Sequence, residues 1–133
     1  MKTDKLPLSL YIHIPFCKKK CLYCDFLSAP ACWREREDYV KALLREISVM
    51  AKSCEEYRII SVFFGGGTPS LLSSLQMKRI MAAIRKGYHL CEDAEITVEC
   101  NPATADLQKL AAFRDLGINR ISIGLQSAND KEL

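Results

Sequence analysis

Segments typical of strands alternate along this sequence with segments typical of helices, and no other feature constrains the fold as strongly. Each of the three intervals between strand-like runs carries apolar residues at helical spacing. Such alternation is typical of a parallel sheet, because parallel strands need a crossover connection, which is usually a helix. We therefore predict an α/β fold of order βαβαβαβ, with parallel strands, helices outside, and strands at residues 8–14, 58–64, 95–100 and 120–126.

The helix-like segments have recognisable ends. Ser73 and Gln76 have the spacing of a capping box before the second helix, and Gly87 and Gly117 follow the second and third helices. The second strand, "RIISVFF", is a continuous apolar run, which is typical of a strand buried on both faces. The apolar positions of the three helices span residues 33–54, 77–84 and 107–116.

Length and composition exclude several classes of protein. The 133 residues contain no low-complexity linker, and the chain stops after the fourth strand without a helix to cover it, so we expect part of a larger domain. The net charge of +3 is too small to indicate nucleic acid or a membrane surface as a partner. No signal peptide or membrane-spanning apolar run is visible, so we expect the seven cysteines to be reduced thiols in the cytoplasm.

Three cysteines, Cys17, Cys21 and Cys24, fall within eight residues directly after the first strand. They are compatible with ordinary loop thiols, or with a zinc site in which His13 is the fourth ligand, since structural zinc usually has four ligands. They are also compatible with a [4Fe–4S] cluster, which normally takes four thiolates. Three thiolates would leave one iron open for a substrate or cofactor. The residues favour this third interpretation and leave the other two open.

The other predicted strands also end in polar or glycine-rich segments. "GGGTPS", residues 65–70, follows the second strand, Glu99 and Asn101 lie at the end of the third, and Gln126 closes the fourth. Ligands of parallel α/β folds bind at the carboxyl ends of the strands, so we expect these segments to converge on one edge. Consecutive glycines let a backbone approach a ligand closely, although this segment is neither a Walker motif nor a dinucleotide-binding fingerprint.

The segment "CKKKCLYC" fits the C-x3-C-x-aromatic-C signature of the radical S-adenosylmethionine (SAM) enzymes, and the chain resembles that superfamily. Within it, "LYIHIPFC", "FFGGGTPS", "EITVECNP" and "INRISIGLQS" resemble the group that holds oxygen-independent coproporphyrinogen III oxidase (HemN) and the haem chaperone HemW. The resemblance begins near Leu8 and covers only the N-terminal part of these longer proteins. It implies that residues 1–133 are the N-terminal part of a radical SAM core domain, a portion of a partial (β/α) barrel.

The resemblance implies a role for each matching residue. Cys17, Cys21 and Cys24 would bind a [4Fe–4S] cluster, and SAM would chelate its open iron. One electron from the reduced cluster would then release methionine and a 5′-deoxyadenosyl radical. The residues expected to lie against SAM are Tyr11, Tyr23, Gly66, Gly67, Thr68, Glu99 and Gln126.

Phe26 stands where the coproporphyrinogen-oxidising branch has a further cysteine, and this favours the haem-chaperone branch. A true coproporphyrinogen III dehydrogenase is the alternative, and a non-catalytic zinc-binding module is the alternative of another class. The resemblance also implies a flavodoxin- or ferredoxin-like electron donor, and haem or porphyrin binding by residues beyond Leu133. The remaining cysteines match no ligand position and are predicted to be packed thiols: Cys32, Cys54, Cys91 and Cys100.

Two expectations concern how the chain behaves. We expect Gly66 and Gly67 to act on SAM rather than on the cluster, because their loop follows a different strand from the cysteines. We also expect the fourth strand to be an exposed edge at Ile121, Ile123 and Leu125. The full-length family would be enzymatic, whereas residues 1–133 alone would be marginally stable, bind the cluster poorly and not cleave SAM productively.

Overall fold

The computed structural model describes residues 5–16, 33–101 and 106–123, which form a parallel four-stranded sheet with helices packed against it. The strands lie side by side in chain order as β1 (Leu6–Ile14), β2 (Tyr57–Gly66), β3 (His89–Cys100) and β4 (Arg120–Ile123). Each neighbouring pair is parallel. The connections contain α1 (Trp33–Ala51), α2 (Ser74–Gly87) and α3 (Leu107–Asp115). The predicted α/β fold and its βαβαβαβ order are confirmed.

The two faces of the sheet differ, because successive side chains of a strand point to opposite faces. On the helix-covered face, Ile12 pairs with Phe64 and Phe64 pairs with Val98. All three are buried in one apolar cluster that includes Val40 of α1 and Ile80 of α2. The alternate positions form the open face, which carries Ser9, Tyr11, His13, Ser61, Phe63, Glu95, Thr97, Glu99, Arg120 and Ser122.

The helix ends follow the predicted signals. The Ser73 hydroxyl accepts a hydrogen bond from the backbone N–H of Gln76, and the Gln76 side chain accepts one from the N–H of Ser73, both at 3.0 Å. This confirms the capping box of α2. Gly117, which follows α3, has a φ of +106°, a conformation that favours glycine. Gly87 differs from the prediction, because it is the last residue of α2 rather than a residue beyond its end.

Strand β2 corrects the prediction of a strand buried on both faces. Val62 and Phe64 are buried, but Phe63 is only half-buried and stacks on Tyr11 of the open face, with ring centroids 6.1 Å apart. The pairing with β1 shifts between Ile59 and Ser61, and the intervening Ile60 is 40% exposed. The continuous apolar run therefore conceals a bulge and a partly open face.

The outer strand β4 confirms part of the predicted apolar edge. Ile121 and Ile123 are 43% and 61% exposed, while Leu125 lies outside the described residues. Strand β3 begins earlier than predicted, and its pairing with β2 passes from Leu90 directly to Glu95. No helix within the described ranges is long and apolar enough to cross a membrane.

Candidate functional site

The carboxyl ends of β1, β2 and β3 meet along one edge of the sheet, here called the rim: residues 15–16, 65–72 and 99–101. The structure describes five of the predicted site residues, namely Tyr11, Gly66, Gly67, Thr68 and Glu99. The others lie outside the described residues, and their roles stay predictions; these are the ligands Cys17, Cys21 and Cys24 with Tyr23 and Gln126, together with Phe26 and Cys32.

Glu99 of β3 reaches across to the glycine loop of β2. The backbone N–H of Gly66 donates to Oε1 of Glu99 at 3.0 Å. Gly66 has a φ of +115°, where a side chain would be strained, and a Cβ at this position would lie 2.8 Å from the imidazole of His13. The two predicted site residues are therefore in direct contact.

Side chains of the open face surround Gly65. A Cβ built there would lie 2.9 Å from Oε1 of Glu99 and 3.0 Å from the ring of Tyr11. The Tyr11 hydroxyl is itself hydrogen-bonded to Nδ1 of His13 at 3.1 Å. Tyr11 is 57% exposed, so a carboxylate, a phenol and an imidazole stand together on a face that a ligand can reach.

The glycine loop is also bonded to the segment that leads into Cys17. The N–H of Gly67 donates to the Ile14 carbonyl at 2.7 Å, and that of Thr68 donates to the Phe16 carbonyl at 2.6 Å. A Cβ on Gly67 would collide with the backbone of Phe16. The expectation that Gly66 and Gly67 act on SAM rather than on the cluster stays a prediction, but the two segments are not separate, because strand pairing brings their backbones into contact.

Helix α1 secures the end of β1. The Tyr39 hydroxyl donates to the carbonyl of His13, and the Tyr39 ring packs edge-on against Phe16 at a centroid distance of 5.3 Å. Burial raises the pKa of Tyr39, so this hydroxyl keeps its proton and remains a donor. Sequence reasoning missed Tyr39, since its position in the helix is that of any core-facing aromatic residue.

The short 3₁₀ turn that follows the glycine loop, Pro69–Leu71, accepts hydrogen bonds from two cationic side chains. The carbonyl of Ser70 accepts from Nζ of Lys109 at 2.8 Å, and that of Leu71 accepts from Nη1 of Arg36 at 3.3 Å. Ser70 itself is fully buried. Sequence reasoning missed both cations, because a charged residue on a helix is usually solvated and carries no distinguishing pattern.

The three cysteines outside the signature that the structure describes are free thiols. Cys100 is buried, and burial raises its pKa while a hydrogen bond with Ser70 acts in the opposite direction. Its thiolate form is therefore disfavoured, as expected of a packed thiol. Cys54 and Cys91 are half-buried and lie away from the rim, in the 3₁₀ turn after α1 and the first half of β3.

The described hydrogen bonds of the rim show which of its polar groups are already occupied. The N–H groups of Gly66, Gly67 and Thr68 all donate within the protein. These three N–H donors are therefore already occupied within the protein, and Glu99 adds a carboxylate acceptor. Acceptors of this kind suit an ammonium or sulfonium group, and they do not suit a phosphate.

Comparisons with known proteins identify the family of the chain. The family model of the radical SAM superfamily matches residues 11–133. The heme chaperone HemW of Escherichia coli is 42% identical over 128 residues, covering 96% of this chain and 34% of the chaperone. HemW of Buchnera aphidicola from Schizaphis graminum is 44% identical over 124 residues, covering 92% of this chain and 33% of the chaperone.

A mitochondrial protein and a solved structure extend these similarities. Bovine radical S-adenosyl methionine domain-containing protein 1 is 41% identical over 125 residues, covering 94% of this chain and 28% of that protein. The structure of coproporphyrinogen III oxidase (HemN) from Escherichia coli, a radical SAM enzyme, matches with a TM-score of 0.85 and 35% identity, covering 96% of this chain and 30% of that chain. The chain spans about a third of the length of the curated relatives that it matches.

Proposed function

Because this chain belongs to the radical SAM superfamily, we propose that its rim binds SAM beside a [4Fe–4S] cluster held by Cys17, Cys21 and Cys24. The observation that carries the proposal is the hydrogen bond between Glu99 and Gly66, which places a carboxylate on the glycine loop. When bound, a cluster with three thiolate ligands supplies an open iron and the electron for SAM cleavage. The residues of the rim supply the placement.

Each described residue has a definite task in this proposal. SAM carries a sulfonium and an α-ammonium group, so the Glu99 carboxylate complements its positive charges. The missing side chains of Gly65 and Gly66 let Tyr11, His13 and Glu99 pack directly against the backbone of the loop. Tyr11 offers an exposed aromatic ring on which a planar adenine can stack. The site combines a hydrogen-bond acceptor with an aromatic surface, and this combination supports SAM as the ligand.

Anaerobic reconstitution tests the cluster and SAM binding. Residues 1–133 are compared with a chimera in which they replace the matching segment of Escherichia coli HemW, because the chain covers only 34% of that protein. We expect the chimera to be brown, with about four irons and four sulfides, and residues 1–133 alone to bind the cluster poorly. Adding SAM should change the electron paramagnetic resonance spectrum of the reduced cluster, and the chimera should produce 5′-deoxyadenosine.

Cysteine variants test the ligand set. Changing Cys17, Cys21 or Cys24 to Ala should abolish cluster binding, because three ligands leave no spare, whereas Cys54→Ala and Cys91→Ala should retain the iron. If Cys54→Ala loses iron as fully as Cys21→Ala, the ligand assignment is wrong. A colourless protein with stoichiometric zinc would instead show a zinc-binding module.

We further propose that the protein serves haem metabolism as HemW does rather than oxidising coproporphyrinogen. Two HemW chaperones are 42% and 44% identical to the chain, whereas HemN is 35% identical, and Phe26 stands where the oxidising branch has a cysteine. The test grafts residues 1–133 onto the remainder of HemN. We expect no anaerobic consumption of coproporphyrinogen III until Phe26→Cys is introduced. Consumption with Phe26 in place would favour the dehydrogenase.

A further inference from the structure

Lys109 of α3 places its charged end under the rim. Its Nζ donates to the Ser70 carbonyl at 2.8 Å, and the side chain is half-buried. Lysine side chains usually keep the ammonium group in water, because removing the charge from water is costly. Burial accordingly lowers the pKa of Lys109, and Asp106 acts against that shift. The ammonium group is therefore directed to a backbone carbonyl rather than left in bulk solvent.

The Ser70 carbonyl belongs to a compact turn that transmits position to the glycine loop. The N–H of Leu71 donates to the Thr68 carbonyl at 2.9 Å, and that of Leu72 donates to the Pro69 carbonyl at 3.0 Å. Thr68 in turn donates to Phe16. A displacement of Ser70 therefore shifts Thr68 and the glycines before it, because no flexible segment separates them.

Donors on three different elements form hydrogen bonds to the turn. Arg36 of α1 donates to the Leu71 carbonyl at 3.3 Å. At the end of β3, the N–H of Asn101 lies 3.5 Å from the Ser70 hydroxyl, at the outer range of hydrogen bonds. The bond from Lys109 is the shortest of the three, and the charge of the Lys109 and Arg36 donors strengthens their bonds relative to that of Asn101.

We propose that Lys109 is a positioning residue for SAM binding, which holds the Pro69–Leu71 turn and through it the glycine loop. The inference rests on the proposed function, in which that loop contacts SAM. Lys109 touches neither SAM nor the cluster ligands in this scheme. It acts through the Ser70 carbonyl, and its removal lets the loop move without emptying the cluster site.

The test compares Lys109→Met with Lys109→Arg and with Lys78→Met, a matched change of an exposed lysine on α2. In the reconstituted chimera with Escherichia coli HemW, Lys109→Met should weaken SAM binding about tenfold, the scale set by one hydrogen bond to a charged group. Iron content should stay unchanged, and the urea unfolding midpoint of residues 1–133 should fall by no more than the loss of one hydrogen bond implies. Lys109→Arg should recover most of the affinity, and Lys78→Met should bind SAM as the unsubstituted chain does.

Hydrogen exchange measured on the iron-free chain separates this inference from the proposed function. Lys109→Met should speed exchange at Thr68, Leu71 and Leu72, while the amides of β2 and β3 exchange as before. If Lys109→Met matches Lys78→Met both in exchange at Thr68, Leu71 and Leu72 and in SAM affinity, Lys109 does not position the loop. If the unsubstituted chimera binds no SAM, the proposed function fails, and exchange still decides whether Lys109 holds the turn.

If Lys109→Met does not fold, Lys109→Gln is the second test. Glutamine keeps a donor of shorter reach without the charge, so exchange at the turn should quicken by less than in Lys109→Met. A fall in iron content parallel to the fall in SAM affinity in Lys109→Gln would show a general structural role and overturn the inference.

Discussion

The helix-covered face and the open face of this sheet have opposite chemical character, although both are built from the same four strands. On β2, Phe64 is completely buried, whereas Phe63 before it is half-exposed and stacks on Tyr11. On β3, Val98 is completely buried, whereas Glu99 after it reaches Gly66. Packing on one face fixes where the strands lie, so adjacent residues can place polar groups on the other face for binding.

The largest expected effect is on stability, and it comes from replacing each of the two phenylalanines with alanine. Phe64→Ala should lower the free energy of unfolding by about 3–5 kcal/mol, because it leaves a cavity in the core. Phe63→Ala should cost much less, about 1 kcal/mol for the lost ring stacking plus a small burial term. Urea denaturation of the chain measures both. Equal losses would show that the open face contributes to stability as the core does.

Gly67→Val tests whether the rim is one unit. A valine side chain would collide with the Phe16 backbone, so the glycine loop and the segment entering Cys17 should both be displaced. We expect SAM binding and iron content to fall together, while far-UV circular dichroism still shows the sheet and helices. Gly87→Ala in α2, where a Cβ meets only Ala51 at 3.1 Å, serves as the control. Loss of SAM binding with full iron content would show that Gly67 affects SAM binding without affecting the cluster.

Glu99→Gln should separate binding from stability on the open face. The substitution keeps the size of the side chain but removes the charge, so SAM affinity should fall about tenfold, equivalent to about 1.4 kcal/mol. The unfolding midpoint should change little. The control is Glu95→Gln on the same face, whose pair with Arg120 spans 3.7 Å between exposed groups and should contribute little. If both variants bind SAM equally, Glu99 is not a ligand contact.

The smallest expected effect lies on the helix side, where α1 and α2 share an ion pair. Glu37 accepts from Nη1 of Arg79 at 2.7 Å, and hydrogen bonds from Arg79 and Gln76 hold the pKa of Glu37 below its ordinary value of 4.5. This contribution to stability is complete above the ordinary pKa and is lost as the pH falls through the lowered one.

Urea midpoints between about pH 6 and pH 3 measure that contribution around the ordinary carboxyl pKa. The unsubstituted chain should exceed Glu37→Gln at the upper end, and the two curves should converge at the lower end. Parallel curves would show that the pair contributes no pH-dependent stability. In either case the change should be far below that of Phe64→Ala, because the helix layer is held mainly by apolar packing.

The order of the elements could be predicted from the sequence because each element depends on local side-chain spacing. The capping box of Ser73 and Gln76 is equally local. The bulge at Ile60 and the passage from Leu90 to Glu95 in the β2–β3 pairing were not predictable. Both depend on what the neighbouring strand presents, and a continuous apolar run fits several registers.

The candidate site divides in the same way. Convergence of Glu99 with the glycine loop follows from parallel topology, because strand ends must share an edge. The bond between Lys109 and Ser70 joins residues 39 positions apart, and nothing in either segment points to the other. The contact of Gly67 with Phe16 depends on backbone atoms, which sequence patterns do not describe.

The chain order of the strands also determines when the parts of the rim are synthesised. The carbonyls of Ile14 and Phe16, next to Cys17, receive hydrogen bonds from Gly67 and Thr68, which are 53 and 52 residues later. At synthesis rates of about 5–20 residues per second, those donors follow after roughly 3–10 s. During that interval the three thiols emerge beside a strand whose partner has not been made. If these thiols bind a cluster as proposed, translation speed sets how long they are exposed to oxidants before the rim can form.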